Sequence, residues 1–367
     1  ASVNKVVIQG GSITTSGDQH FAELVVLDNT QQITVLKATN SNVTFDKAVV
    51  NADSAAPQDL TISAGTGNVT FTGVVGDDAI VNIPATGSTP AVIKNGALGH
   101  LIINSAGETK FVSTVDAASL KTDVDTANID VTAATNQVTI QGGRITTTGA
   151  QTYNDDVVLD NLAHATVVNT TNAPVWLGRT LNNASTAPEA LTVNAGNGAV
   201  TFNGAVGNSA THRAIGALVV NSGATTTFVS TVDAASVTTD AVGTVAINGG
   251  RMTTTGAQIY GEAVTMSQAT TLTASGVTLH DTVNGASSLS VEGATAVNGG
   301  SITTVGNQRY NGAVTLGQNT TLDADSGDVT FDSTVDTAVV NNVLTVAKSL
   351  TIHTSGATTF NGAVGLA

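Results

Sequence analysis

The side chains able to do chemistry are few, and their spacing works against them. Six histidines, His20, His100, His164, His212, His280 and His353, are scattered through the chain, and no two share the His-x-x-x-His spacing of a metal site. They read as exposed or loop histidines. There is no cysteine, which excludes thiol nucleophiles, Cys-ligated metals and a disulfide framework. Serines are many, yet none lies in a G-x-S-x-G turn with a matching acid and base. Glycine pairs recur as GG-x-[IM]-TT, which is neither a dinucleotide fingerprint nor a phosphate-binding loop. They read as turn glycines.

Carboxylates are the one candidate group. Asp323, Asp325 and Asp328 crowd into LDADSGD, and Asp77-Asp78 and Asp155-Asp156 are adjacent pairs. Asp in repeated turns can bind calcium in secreted β-helices. Here the Asp positions do not repeat and the Asp-rich nonapeptide is absent, so they read as solvated acidic turns. An enzyme acting on acidic polysaccharides would need Asp or Arg gathered on one face. The arginines are only Arg144, Arg179, Arg213, Arg251 and Arg309. Arg144 and Arg251 share a repeat position that holds Ser12 and Ser301 in the other copies, the pattern of a drifting surface position. Aromatics make up 3%, with a single Trp, Trp176, so platforms for sugar stacking are scarce. Ice binding would want a uniform Thr-x-Thr rank. The runs Thr146-Thr147-Thr148 and Thr253-Thr254-Thr255 point to alternate faces instead. No residue is assigned as catalytic, cofactor-binding or metal-ligating, no cofactor is expected, and the chain is expected not to be an enzyme.

Composition narrows the classes further. Twelve Lys and Arg stand against 27 Asp and Glu in 367 residues, a formal net charge of −15. Nucleic-acid binding draws on basic side chains and is not expected. No apolar run approaches the roughly 18 residues of a membrane span. At 41% hydrophobic and 11% charged, the chain can bury a core and is not disordered.

The elements that must carry these residues come from repeats. GGSITTSGDQ at 10–19 returns as GGRITTTGAQ at 142–151, GGRMTTTGAQ at 249–258 and GGSITTVGNQ at 299–308. LTISAGTGNVTFTGVVG at 60–76 returns as LTVNAGNGAVTFNGAVG at 191–207, and FVSTVDAAS at 111–119 returns unchanged at 228–236. The first two motifs recur after 132 and 131 residues, the third after 117, so a long module is duplicated with length lost inside the second copy. The organisation is one continuous solenoid over 1–367: a long module at 10–141, a second copy at 142–248, and abbreviated repeats at 249–367. A smaller unit runs throughout, a large apolar residue followed four positions on by an aliphatic one. Phe45/Val49, Phe71/Val75, Phe111/Val115, Phe202/Val206 and Phe331/Val335 are examples.

The unit is extended rather than helical. Leu60-Thr-Ile62, Leu191-Thr-Val193 and Leu350-Thr-Ile352 alternate with period two, and Asn-Gly, Ser-Gly and Gly-Gly pairs supply the turns. Short strands in near-identical repeats admit a β-propeller or a parallel β-helix. The unit length varies and the four GG motifs are 132, 107 and 50 residues apart, which a closed propeller tolerates poorly but a stack accepts by gaining or losing whole coils. The expected fold is all-β, a right-handed parallel β-helix of degenerate repeats of roughly 20–30 residues, with roughly 15 coils. Phe71, Phe111, Phe202, Phe228, Phe331 and Phe360 should point inward, with Ile62, Val193 and Ile352. Charged side chains would stack like on like, so a low charge density suits the geometry.

The phrase GGSITTVGNQRYNGAVTLGQNTTL at 299–322 resembles the degenerate repeats of large bacterial exoproteins of the filamentous-haemagglutinin and autotransporter-passenger type. The likeness extends over nearly the whole chain. It implies a right-handed β-helix shaft serving adhesion, surface coating or assembly, and it brings no catalytic residue. No secretion motif or signal peptide is seen, and Ala1-Ser-Val-Asn reads as a cleaved mature end or a fragment boundary. The expected role is an extracellular, bacterial cell-surface structural or adhesive protein, a shaft or filament subunit. The alternative is a carbohydrate-binding or carbohydrate-active β-helix. Expected partners are a second copy stacked head to tail or the continuation of a longer chain, and a host or neighbouring-cell surface, with no nucleic acid and no membrane span.

Overall fold

The computed structural model describes residues 4–365 except 30, 54, 77–79, 84–90, 95, 124–135, 162, 164, 186, 208–213, 341–342 and 345. The chain divides into two compact units, Ala1–Glu189 and Ala190–Ala367. There is no helix among the described residues, so none is long and apolar enough to cross a membrane. Strands account for 58%, and parallel coils stack into a β-solenoid of about 13 turns.

Alternation decides the strands. In Asp59–Gly65, Leu60, Ile62 and Ala64 are buried while Thr61 and Ser63 stay partly exposed. Ala190–Gly196 repeats the pattern with Leu191, Val193 and Ala195 inward. β-Branched and small residues suit this half-buried surface. Three strands make one coil, and each strand pairs in parallel with the equivalent strand of the next coil. In the first unit one ladder runs from Gln19–Phe21 through Val43–Phe45, Val69–Phe71, Glu108–Phe111, Gln137–Ile140 and Asp156–Leu159 to Leu181–Asn183. In the second unit one runs from Val200–Phe202 through Thr225–Phe228, Thr244–Ile247, Ala263–Met266, Val283–Gly285, Ser301–Thr304 and Thr320–Asp323 to Leu350–His353. Val245, Val264 and Val283 are successive partners, so a short coil takes 19 residues (264 − 245 and 283 − 264). Two of the long gaps hold excursions rather than extra coils, whereas the gap from Tyr153 to Phe202 holds one extra coil through Leu177. Phe71 pairs directly with Phe111, although the antiparallel hairpin Ile80–Ile83/Ala91–Lys94 lies between them. A second hairpin, Val339–Val340/Val343–Leu344, separates Leu322 from its partner Ile352. These excursions are why the coils number about 13 and not roughly 15.

One expectation about the repeats is corrected. The GG motifs do not differ by whole coils. In the first unit Ser12–Thr15 pairs into the ladder of Ile33–Ala38, whereas Arg144–Thr147 pairs with the start of Val115–Thr122 on another ladder. In the second unit Arg251–Thr254 pairs with the start of Val232–Thr239, and Ser301–Thr304 with Val283–Gly285. The copies are rotated by a face of the coil. The three faces share the same needs, an alternating strand closed by a glycine turn, so a module can be inserted or lost in thirds of a coil.

The apolar interior is stacked in files. Phe21, Phe45, Phe71 and Phe111 lie ring on ring at 5.0, 4.9 and 5.4 Å, with planes within 12°. Phe202 and Phe228 stack at 5.1 Å, and Tyr310, Phe331 and Phe360 at 5.2 and 4.9 Å. Those separations follow the coil rise of about 4.8 Å. The aromatic-then-aliphatic unit turns a corner: Phe45 closes one strand, Val49 opens the next, and both are fully buried. Phe71, Phe111, Phe202, Phe228, Phe331, Ile62 and Val193 are buried as expected. Phe360 is not. It is 41% exposed because Phe331 covers one face of its ring and no described residue stacks on the other. Ile352, in the same coil, is only half-buried for the same reason. Phe202→Ala is expected to cost about 3–5 kcal/mol in urea unfolding, since it cuts an aromatic file in a packed core. Phe360→Ala should cost clearly less.

Candidate functional site: the polar joints between coils

The GG motif organises the main polar joint. At its first glycine in the three later copies a Cβ would strike the backbone of the coil below, 1.9 Å from the Ser113 carbonyl at Gly142, whereas at Gly10 it would meet nothing within 4 Å. The second, Gly143, adopts φ 72°, which side chains other than glycine's rarely adopt. The pair lets the chain enter the next strand pressed against its neighbour. The motif's glutamine then turns into the interior. Gln151 Nε2 donates to the carbonyl of Ile145 at 3.4 Å and to that of Asn169, one coil on, at 2.8 Å. Gln258 does the same to Met252 and Thr273, and Gln308 to Ile302 and Asp323. Each Oε1 accepts the hydroxyl of the tyrosine two residues on, from Tyr153 at 2.7 Å and from Tyr260 and Tyr310 at 3.0 Å. Burial raises the pKa of all three phenols, so each stays a donor. In the first copy Gln19 reaches Ile13 and Lys37, but position 21 is Phe and Gln19 Oε1 has no partner. This joint could have been found in the sequence: the chain has three tyrosines, and each follows a motif glutamine by two residues.

A second joint pairs opposite charges across coils. Arg144 grips Asp116 with two hydrogen bonds, at 2.7 and 2.9 Å, and also reaches Thr146. Arg251 holds Asp233 the same way, at 2.9 and 3.0 Å, beside Thr253. The Asp233 bond raises the Arg251 pKa. The reading of this position as drift is therefore wrong. Arg appears where the coil below carries the Asp of VDAAS. Ser301 stands where the coil below offers Val283-Asn284 instead. On the exposed surface Arg309 pairs with Asp332 at 2.7 Å, and with Asn361 it lowers the Asp332 pKa.

The third joint is acidic and sits at the corner after VDAAS. Asp123 and Asp155 are each 2% exposed. Asp123 Oδ1 accepts the Ser105 amide at 2.9 Å, and the Asp155 carboxyl lies beside it from the following coil. Thr122 binds Asp155 through its hydroxyl and accepts the Asn154 amide at 3.2 Å. Burial and then Asp123 push the Asp155 carboxyl up to about 8, against the pull of Thr122 and Arg179. The other module repeats the corner with Thr239, Asp240 and Glu262, and Thr239 accepts the Gly261 amide at 3.3 Å. Burial pushes Glu262 up to about 7, Thr239 opposes it and Asp240 adds to it. Of this joint the sequence showed only the adjacent pair Asp155-Asp156. Asp156 turns the other way, to Thr180 and Arg179.

The remaining candidates stay apart. His20 meets Asp46 at 2.8 Å on the exposed surface, His100 meets Ser119 at 2.7 Å, and His280 and His353 are exposed. Asp323 and Asp328 accept backbone amides of Asp325 and Ala357, the work of turn residues. His164, His212, Asp77, Asp78 and Arg213 lie outside the described residues. Among the described residues no group of three or more His, Asp or Glu could hold a metal ion. A 290 Å³ recess lined by Asp28, Asn29, Asp53 and Gln58 spends its polar atoms on its own loops: Gln58 Oε1 accepts the Asn29 amide, and Asp53 caps Ala55. No family model, curated protein or solved structure matches the chain.

Tyr153→Phe strands the buried Gln151 Oε1 and is expected to cost about 1–2 kcal/mol. Phe21→Tyr supplies the donor that Gln19 lacks and should raise stability by about 1 kcal/mol. Thermal unfolding of the two variants beside the parent checks both signs.

Proposed function

We propose that this chain is an extracellular structural or adhesive surface protein, a β-helical shaft or filament subunit without catalysis. One observation carries the reading. Among the described residues, three arginines and the buried motif glutamines hold one coil on the next: Arg144 to Asp116, Arg251 to Asp233, Arg309 to Asp332, and the glutamines to carbonyls one coil away. A molecule that spends its polar groups on its own repeat is suited to length and surface. The absence of cysteine and the low charge agree with an exported repeat protein, as does the likeness of its repeats to bacterial exoproteins. The partner proposed is a further coil, from a second copy or a continuing chain, laid over the Phe360 ring, on which Phe331 alone stacks among the described residues.

Two measurements test this. Acidic and neutral polysaccharides incubated with the protein are expected to show no turnover. Turnover lost on mutating a single Asp or Arg would overturn the reading. Electron microscopy and sedimentation of the native material are expected to show rods or filaments. Compact particles that stay monomeric at all concentrations would count against it.

A further inference from the structure

We propose that the Asp123–Asp155 pair in the first unit and the Asp240–Glu262 pair in the second are proton-held joints, each sealing a corner between two coils while a proton is bound and loosening as the pH rises. The proposal does not rest on the adhesive role.

The geometry is the same at both corners. A strand ending in Thr122-Asp123 or Thr239-Asp240 runs out beneath a turn carrying Asp155 or Glu262, and the threonine oxygen takes an amide from that turn. Asp155 and Glu262 are each 2% exposed, and Asp123 Oδ2, Asp155 Oδ1, Asp240 Oδ1 and both Glu262 carboxyl oxygens have no hydrogen-bond partner. Two acids from adjacent coils, of which Asp123, Asp155 and Glu262 are buried and Asp240 partly so, cannot both ionise at low cost, because like charges at short range in a poorly solvated site repel. Around Asp155 the charged and titratable groups are Asp123 on the coil before, Asp156 on its own strand and Arg179 in the turn that follows. Around Glu262 they are Asp240 on the coil before, and His280 and Asp281 in the turn that follows by register. Arg179 is the only cation among these at the first corner, and it is shared with Asp156 at 3.5 Å. The chain also contains its own control. The corresponding corner at Tyr310 has Asn311 bonded to Glu292 and Gly312 where the second acid would stand.

The direction follows from linkage. A carboxyl raised in the folded state binds more protons folded than unfolded between its two pKa values, so stability falls as the pH rises. The contribution is fully present below the ordinary values of 3.8 and 4.5, and it is lost by about 8 at Asp155 and by about 7 at Glu262.

The test is hydrogen–deuterium exchange on the whole chain, corrected for the intrinsic pH dependence of exchange, between about pH 5 and about pH 9. Opening at the peptides bearing Asn154-Asp155 and Gly261-Glu262 should rise at least about tenfold, while the Asn311-Gly312 corner stays flat. Asp155→Asn should abolish the response at the first corner alone, and Glu262→Gln at the second alone. Asp123→Asn serves at the first corner if Asp155→Asn does not fold. No response, a response equal to that at Asn311-Gly312, or a response that survives these substitutions would overturn the proposal. So would recovery of protection at high pH in millimolar calcium chloride, which would make the pairs cation sites.

Discussion

Parallel stacking in register is the constraint on which the rest depends. Each residue sits about 4.8 Å from its counterpart on the next coil, so every position must tolerate its own neighbour. Rings satisfy this by lying flat on rings, as Phe21 to Phe111 do. β-Branched residues satisfy it by packing on the pleat. Charge satisfies it only when the sign alternates, as Asp116 with Arg144 and Asp233 with Arg251 do. Glycine enters where the coils press backbone on backbone, as at Gly142. The low charge, scarce aromatics and high glycine content of the chain follow from that single requirement.

A solenoid interior that is purely apolar gains from burial but fixes register poorly, because valine files can slide by a face. The Gln–Tyr joints act against this. A buried glutamine that must find one carbonyl on its own coil and another on the next is satisfied in one register only, and an unsatisfied amide in the interior is costly. The copies of the GG motif lie on different ladders within each unit, so these pins reach more than one face. The acidic corners are the weaker counterpart. They close with a proton, which the solution can take away.

The architecture was readable from residues: period-two triplets such as Leu60-Thr-Ile62, glycine turns and the aromatic-then-aliphatic corner together require short stacked strands. The inward direction of Phe71 or Val193 followed from the same alternation. Phe360 and Ile352 have the same local pattern yet are open, because burial in a stack is conferred by the next coil and not by the residue's own strand. The joints were hidden for a related reason. Asp123 and Asp155 are 32 positions apart, and only the ladder pairing of Leu120 with Gln151 brings them together. Arg144 looked like drift because its partner, Asp116, belongs to a different motif.

If the coil is the unit of stability, the stack should accept loss of a whole one and reject loss of a fraction that breaks the ladders. Val264 and Val283 are partners 19 residues apart, so removing residues 264–282 places Val283 where Val264 stood. The decisive measurement is far-ultraviolet circular dichroism of that shortened chain during thermal unfolding, beside one lacking residues 264–273. The whole-coil deletion is expected to keep its β-sheet signal and a cooperative transition, and the partial deletion to lose both. A whole-coil deletion as disordered as the partial one would contradict the stacked-coil account.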